Sequence, residues 1–177
     1  MHSGTDEHMR ELVNDAADLA TWLAIVTDAP TIRVRRGDLE RAKQLREAIR
    51  LTALDVVAGL ALRAEHLTVI NTCAEQAPLV PALSSTGEIR LQSGTAQQAL
   101  ATIARDAIDL FAAELDPRRA GPERQAAARP CRLRVCAADD CGLFILDTSR
   151  PNNRRWCSMD LCGNRSKIRA YRARSTD

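Results

Sequence analysis

Apolar side chains recur three and four positions apart through most of residues 11–116, which is the spacing of amphipathic helices. A first helix is predicted to begin at a cap on Asn14 and to end at the Ala-Pro pair of residues 29–30. We interpret Trp22 as a core anchor rather than a pocket wall, because large aromatic side chains dominate cores. The buried stripe predicted for this helix is Leu19, Trp22, Leu23 and Val26.

Three further helices are predicted by the same spacing. The second is long and runs from a cap on Asp38 to a break at Gly59, and the third covers residues 63–76. The fourth opens with a capping box of Thr95 and Gln98 and stops at an Asp-Pro pair. The buried positions predicted for the second and fourth helices are Leu39, Ala42, Leu45, Ile49, Ala53, Val56, Ala99, Leu100, Ile103, Ala107, Leu110, Phe111 and Leu115.

Turn residues interrupt the helical pattern in two places. Ser84 to Gly87 lie between short apolar runs, which predicts a small β-hairpin over residues 78–92. The basic segment T-I-R-V-R-R-G-D before the second helix is interpreted as a connector. Residues 117–130 carry Pro and Gly at both ends and no apolar side chain larger than Ala, so they are interpreted as a linker. The expected organisation is therefore a helical domain (11–116), a linker (117–130) and a small module (131–174).

The small module contains the unit C-x4-C-G twice, separated by fourteen residues. Two close pairs of thiolates are the ligands that a tetrahedral structural Zn²⁺ site needs, and the chain shows no secretion signal that would favour disulfides. The Gly after each second Cys is expected to allow the unusual backbone angles of a tight loop. We therefore predict one structural zinc ion with the ligands Cys136, Cys141, Cys157 and Cys162.

The remaining two cysteines are interpreted differently. Cys131 stands at the same spacing before Cys136 and is an alternative ligand, but only Cys136 and Cys141 repeat the whole unit. Cys131 is then a free thiol or a packed residue. Cys73 has no cysteine nearby in the sequence and is interpreted as a small buried hydrophobe.

Short strands are predicted over residues 132–135 and 143–146, and a terminal helix is predicted to begin at a cap on Ser158. Two hairpins with a metal at one corner and a helix that carries the last ligand form a treble-clef-like α+β module. Its few large apolar side chains cannot hold so short a chain together, so zinc is expected to supply much of its folding free energy. The fold class predicted for the chain is a mainly α N-terminal domain followed by this zinc-finger module.

Charge is divided unevenly along the chain. Residues 129–177 carry 11 Lys and Arg against 5 Asp and Glu, whereas the preceding residues carry 14 against 18. Guanidinium groups on one side of a helix can neutralise a nucleic-acid backbone, so DNA is the predicted partner. A solubilising face, or an interface with the acidic helical domain, is the alternative reading. Asn164 would read a base edge or bond its own backbone. The candidate contacts are Arg154, Arg155, Asn164, Arg165, Lys167, Arg169, Arg172 and Arg174.

The C-G-N-R motif at residues 162–165, together with both cysteine pairs, closely resembles the CGNR zinc finger of bacterial proteins. The stretches L-V-N, D-L-A-T-W-L and L-E-R-A-K-Q-L-R-E-A-I-R are similar to the companion ABATE domain, which is described as a stress-induced transcription regulator. The resemblance covers about residues 12–174. It implies that the same four cysteines bind zinc and that the basic terminal helix contacts DNA. One departure is that L-V-N-D runs directly into the first helix, where relatives have extended segments.

Composition and motifs limit the remaining function classes. No run of about 18 apolar residues predicts a membrane span, and a cytoplasmic protein is expected. The sequence shows no paired carboxylates in an apolar setting, no Ser/His/Asp grouping and no phosphate-binding Gly loop, so we expect no enzyme. The main expectation is a DNA-binding bacterial regulator whose helical domain senses a ligand or forms a homodimer. The alternative is a zinc-stabilised adaptor that binds another protein.

Overall fold

The structure is a computed structural model that describes residues 13–116 and 131–174. The predicted linker, residues 117–130, lies outside the described residues. No helix in the described ranges combines the length and the apolar character needed to cross a bilayer. The helices of the first range are α1 (Ala16–Thr27), α2 (Asp38–Ala58), α3 (Ala64–Ala74) and α4 (Ala96–Leu115).

Two short strand pairs accompany these helices. The predicted hairpin is confirmed, because β2 (Pro81–Leu83) pairs antiparallel with β3 (Ile89–Leu91). A second pair lies partly in the segment before α2, where the sequence predicts only a connector. There β1 (Ile32–Arg33) runs parallel to β4 (Gly94–Thr95), and each strand is too short to show an alternating pattern.

The core lies where α2, α3 and α4 pack on one another, and α1 packs against α4. Alanines on α4 are completely buried, at positions 96, 99, 101 and 104. Because Ala side chains are small, the neighbouring helices approach α4 closely, and Leu19, Leu23, Leu45 and Ile70 fill the remaining space. The core is thus built almost without aromatic residues, as the composition required.

Helix α1 differs from the prediction in its cap and in its buried side. The cap is Asp15 rather than Asn14, because the Asp15 carboxylate accepts hydrogen bonds from the backbone N–H groups of Ala17 and Asp18. The prediction that Trp22 and Val26 are buried is wrong: they are 39% and 51% exposed. Helix α1 lies at the margin of the bundle, so only the narrow side with Leu19 and Leu23 is covered.

The ends of α2 and α4 agree largely with the prediction. Gly59 ends α2 with a φ of 66°, and Thr95 and Gln98 form the predicted capping box. Asp38 is the first residue of α2 rather than its cap, and its buried carboxylate accepts a hydrogen bond from the backbone N–H of Arg35 at 2.6 Å. Leu115 is 48% exposed because it is the last residue of α4, so its predicted burial is wrong.

The second range forms the predicted small α+β module. Strand β5 (Leu133–Val135) pairs antiparallel with β6 (Phe144–Leu146). A single π-helical turn, Met159–Gly163, then leads into α5 (Asn164–Arg174). Ser158 is the predicted N-cap, since its hydroxyl accepts a hydrogen bond from the backbone N–H of Leu161. The predicted fold class is therefore confirmed.

The module is packed directly onto the helical domain. Leu133 of β5 is only 4% exposed and belongs to the core of the helices, where α2 packs against β5. The Glu114 carboxylate on α4 accepts hydrogen bonds from the backbone N–H groups of Arg132 (2.6 Å) and Leu133 (3.3 Å). The first strand of the module therefore contributes to the core of the preceding domain.

We expect Leu133→Ala to lower the free energy of unfolding of the helical part by about 2–5 kcal/mol, because it opens a cavity in that core. Leu143→Ala is the control, since Leu143 is 55% exposed, and it is expected to change stability by no more than about 0.5 kcal/mol. Urea denaturation followed by the helical circular-dichroism signal measures both. Equal effects of the two variants would contradict the shared core.

Candidate metal centre

Four cysteine sulfurs meet at the corner between the two loops of the module. The Sγ atoms of Cys136, Cys141, Cys157 and Cys162 all lie within 4.8 Å of one another. Cys141 Sγ is 3.8 Å from Cys157 Sγ, which is 3.5 Å from Cys162 Sγ. A tetrahedral zinc site with Zn–S bonds of about 2.3 Å places its sulfurs about 3.8 Å apart. The cluster therefore fits one structural zinc ion, as predicted.

Local backbone contacts place the four sulfurs. Cys136 directly follows β5, and its backbone N–H donates to the carbonyl of Leu143 at 2.9 Å. The N–H of Cys141 donates to the carbonyl of Ala138 and closes the first cysteine loop. Cys162 lies in the π-helical turn, where the N–H of Gly163 reaches back to the carbonyl of Ser158. Each pair is thus fixed within its own loop, and the loops are joined by hydrogen bonds from the N–H of Ala137 to the carbonyl of Arg155 (2.8 Å) and from the N–H of Cys157 to Cys136 Sγ (3.4 Å).

The electrostatics of the cluster are consistent with a bound cation. Burial and hydrogen bonds with the three neighbouring sulfurs raise the pKa of the Cys157 thiol to about 12. Burial also opposes ionisation of Cys136, but backbone N–H groups of Ala138 and Cys157 lower its pKa below the usual value. Four adjacent sulfurs cannot all become thiolates unless a positive ion compensates their charge. A closed four-cysteine zinc site supplies that charge and has a structural role.

Cys131 lies outside this cluster. Its thiol donates a hydrogen bond to the Glu114 carboxylate at 3.2 Å, beside the backbone donors of Arg132 and Leu133. Burial, followed by the contact with Glu114, raises the pKa of the Cys131 thiol to about 11. The thiol is therefore kept protonated, in an environment that does not favour metal ligation. Cys73 packs against the helical core, where burial raises the pKa of its thiol.

The two glycines of the repeated unit have different roles from those expected. Neither has a positive φ, so neither shows backbone angles that only Gly adopts readily. A Cβ atom at Gly163 would lie 2.7 Å from the Met159 sulfur and 3.5 Å from the Trp156 ring. Gly163 thus permits a close approach of side chains, whereas Gly142 faces open space.

Several side chains that were predicted to contact DNA form ion pairs and hydrogen bonds with other residues of the module. One carboxylate, that of Asp140 in the first cysteine loop, pairs with Arg165 at 3.1 Å and with Arg169 at 3.0 Å. Arg165 also donates to Cys162 Sγ at 3.2 Å. This contact, followed by the charge of Asp140, raises the pKa of the Arg165 guanidinium above its usual value. These arginines therefore tie α5 to both cysteine loops.

The other predicted contacts are spread around the module. Arg154 donates to the backbone carbonyls of Trp156 and Cys157, and Arg155 lies over the Trp156 ring at 5.0 Å. The Asn164 amide donates to the carbonyl of Asp160, so it bonds its own backbone. The remaining positions lie on α5. Lys167 and Arg172 are exposed, and the side chain of Arg174 lies outside the described part of the chain.

Three acidic residues have structural roles that the sequence did not predict: Asp140 and Asp147 in the module, and Glu114 at its contact with the helical domain. Asp147 is completely buried, and its carboxylate accepts hydrogen bonds from Ser149 and from the backbone N–H of Arg154 at 2.7 Å. The hydrogen bond from the Ser149 hydroxyl, followed by that from Arg154, lowers the pKa of Asp147. The D-T-S sequence is a signal for such a turn, because Asp bonds the backbone two residues on. Glu114 and Asp140 leave no comparable local signal.

Zinc content distinguishes the two readings of the cysteine pattern. We expect one Zn²⁺ per chain in the natural protein and in Cys131→Ser, and substoichiometric zinc with loss of the module's fold in Cys141→Ser and in Cys157→Ser. Elemental analysis after extensive dialysis measures the stoichiometry. Zinc loss in Cys131→Ser with full retention in Cys141→Ser would contradict the ligand set.

Asp147→Asn is expected to lower the thermal midpoint of the zinc-loaded protein at pH 7, because an amide cannot accept all three donors in the same way. The folded pKa of Asp147 is depressed, so its contribution is present above the pKa of the unfolded chain and is lost as the pH falls through the folded value. The difference in thermal midpoint between the natural protein and Asp147→Asn should therefore become smaller in acid. Asp139→Asn, an exposed change in the first cysteine loop, is the control.

Comparisons with known protein families agree with the geometry of the site. The CGNR zinc finger family matches residues 132–175. The ABATE family, which carries the description "Putative stress-induced transcription regulator", matches residues 2–114, more than half of the chain. No curated protein matches the chain. The chain therefore belongs to the ABATE family, and its C-terminal module is a CGNR zinc finger.

Proposed function

We propose that the chain is a zinc-dependent DNA-binding regulator of transcription that acts in the bacterial cytoplasm. The description of the ABATE family supports a regulatory role. The excess of Lys and Arg in residues 129–177 supports a polyanionic partner, because DNA binding depends on phosphate neutralisation. A homodimer through the helical domain stays a prediction.

The observation that carries the proposal is the position of α5 directly after the last ligand. Cys162 and the first residue of α5, Asn164, are separated only by Gly163, so zinc ligation fixes where the helix begins. Helix α5 then presents exposed cationic side chains, Lys167, Arg169 and Arg172, to solvent. Such groups bind phosphate through charge and, for arginine, through a rigid fork of donors. DNA affinity should therefore require zinc.

Intramolecular partners show which of the candidate residues would have to give up a bond in order to bind a phosphate group. A phosphate group would have to compete with Asp140 for Arg165 and Arg169. Arg154 is likewise engaged with backbone carbonyls. Lys167, which is exposed, is therefore the first position to test.

A protein-binding adaptor is the second candidate, and a separate observation favours it. The terminal turn and α5 expose large apolar side chains, with Leu161 at 66%, Ile168 at 51% and Tyr171 at 67%. Apolar surface of this kind suits a protein partner better than a phosphate backbone. We propose no catalytic role, because a four-cysteine site leaves no coordination position for a substrate.

Binding to random duplex DNA across a salt series tests the proposal. We expect zinc-dependent binding whose logarithmic affinity falls steeply with the logarithm of salt concentration. Lys167→Gln should weaken binding to all sequences and reduce the salt slope by about one. Arg36→Gln removes the same charge from the helical domain and is expected to leave both quantities unchanged. Absence of binding at low salt would overturn the proposal in favour of the adaptor.

A further inference from the structure

Arg165 lies between a cysteine sulfur and a carboxylate, which belong to the two loops of the zinc finger. Its Nη2 donates to Cys162 Sγ at 3.2 Å, and its Nη1 is 3.1 Å from the Asp140 carboxylate. Cys162 belongs to the second cysteine loop and Asp140 to the first. A single guanidinium group therefore connects both halves of the module at the metal centre.

The charge of the centre explains what a cation contributes at this position. A zinc ion with four thiolates carries about two negative charges, and two of the sulfurs here belong to cysteines that are almost fully buried, Cys136 and Cys162. Hydrogen bonds from backbone N–H groups partly compensate this charge. One example is the N–H of Cys157, which donates to Cys136 Sγ at 3.4 Å. A guanidinium adds a full positive charge as well as a hydrogen bond.

Asp140 holds the guanidinium in this orientation. The Oδ2 atom of its carboxylate lies 3.1 Å from Arg165 Nη1 and 3.0 Å from Arg169 Nη2, and the two arginines are one turn apart on α5. Arg165 can therefore direct one nitrogen to the sulfur while the other is fixed by the carboxylate. The planar fork of arginine suits this double contact, and the single ammonium group of lysine does not.

We propose that Arg165 is a positioning residue of the metal centre, which stabilises the Cys162 thiolate and fixes α5 against both cysteine loops, with Asp140 as its orienting partner. This assignment differs from the DNA contact that the family resemblance implies for the same residue. It does not depend on DNA binding, because every contact that carries it lies within the module.

Zinc affinity measured by competition with a chromophoric chelator tests the proposal in the full chain without DNA. We expect Arg165→Gln to weaken zinc binding about 10–100-fold, the usual effect of removing a group that bonds a metal ligand. Arg165→Lys, which keeps the charge without the fork, should lie between this variant and the natural protein. Arg150→Gln removes the same charge from an exposed position in the same module and should leave zinc affinity unchanged.

The cobalt-substituted protein gives a second readout that a general loss of stability would not move. An N–H hydrogen bond lowers the energy of the sulfur electrons, so its removal in Arg165→Gln should shift the thiolate-to-cobalt charge-transfer band to longer wavelength. Asp140→Asn leaves the donor in place but frees its orientation, and should give a smaller shift.

Two results would overturn the proposal. The first is an Arg165→Gln protein with the zinc affinity and the cobalt spectrum of Arg150→Gln. The second result applies if Arg165→Gln does not fold, in which case Arg165→Lys and Asp140→Asn are measured instead. The proposal is overturned if both variants have the zinc affinity and the cobalt charge-transfer band of the natural protein.

Discussion

The repulsion that four thiolates would have within 4.8 Å of one another is the constraint on which the zinc finger depends. The two strands beside them have three residues each, and Ile145 is the one large aliphatic side chain buried with the cysteines among the described residues. So little apolar burial cannot offset the conformational entropy of the module. The cation that resolves the repulsion therefore also supplies the free energy that keeps the loops folded.

The helical domain has its own core, yet it is not independent of the finger. The Glu114 carboxylate at the end of α4 accepts hydrogen bonds from the backbone N–H groups of Arg132 and Leu133. The Leu133 side chain packs in the core of the helices. Strand β5 leads directly to the first zinc ligand, Cys136. One strand therefore connects the metal centre to the core of the helices, although composition alone places a linker between the two parts.

Features that depend on neighbouring residues were predictable, and those that depend on distant partners were not. A few neighbouring residues specify each of three features: the repeated cysteine unit, the Thr95 capping box and the hairpin. Each can therefore be recognised from a short stretch of sequence. Helical spacing also implied burial for Trp22, but spacing cannot show how much of a helix its neighbours cover. Likewise, nothing near Asp140 in the sequence indicates the arginines that reach it from α5.

Charge counts from the sequence overstate the basic character of α5. Arg165 and Arg169 face Asp140, and Arg165 also faces a sulfur of a centre that is itself negative when zinc is bound. The Asp140 carboxylate therefore offsets part of their charge within the module, whereas Lys167 is an exposed cation of the same helix. Attraction of a polyanion depends on the field outside the protein rather than on the sum of residues. The metal centre thus decides both where the helix stands and which of its cations can act on a partner.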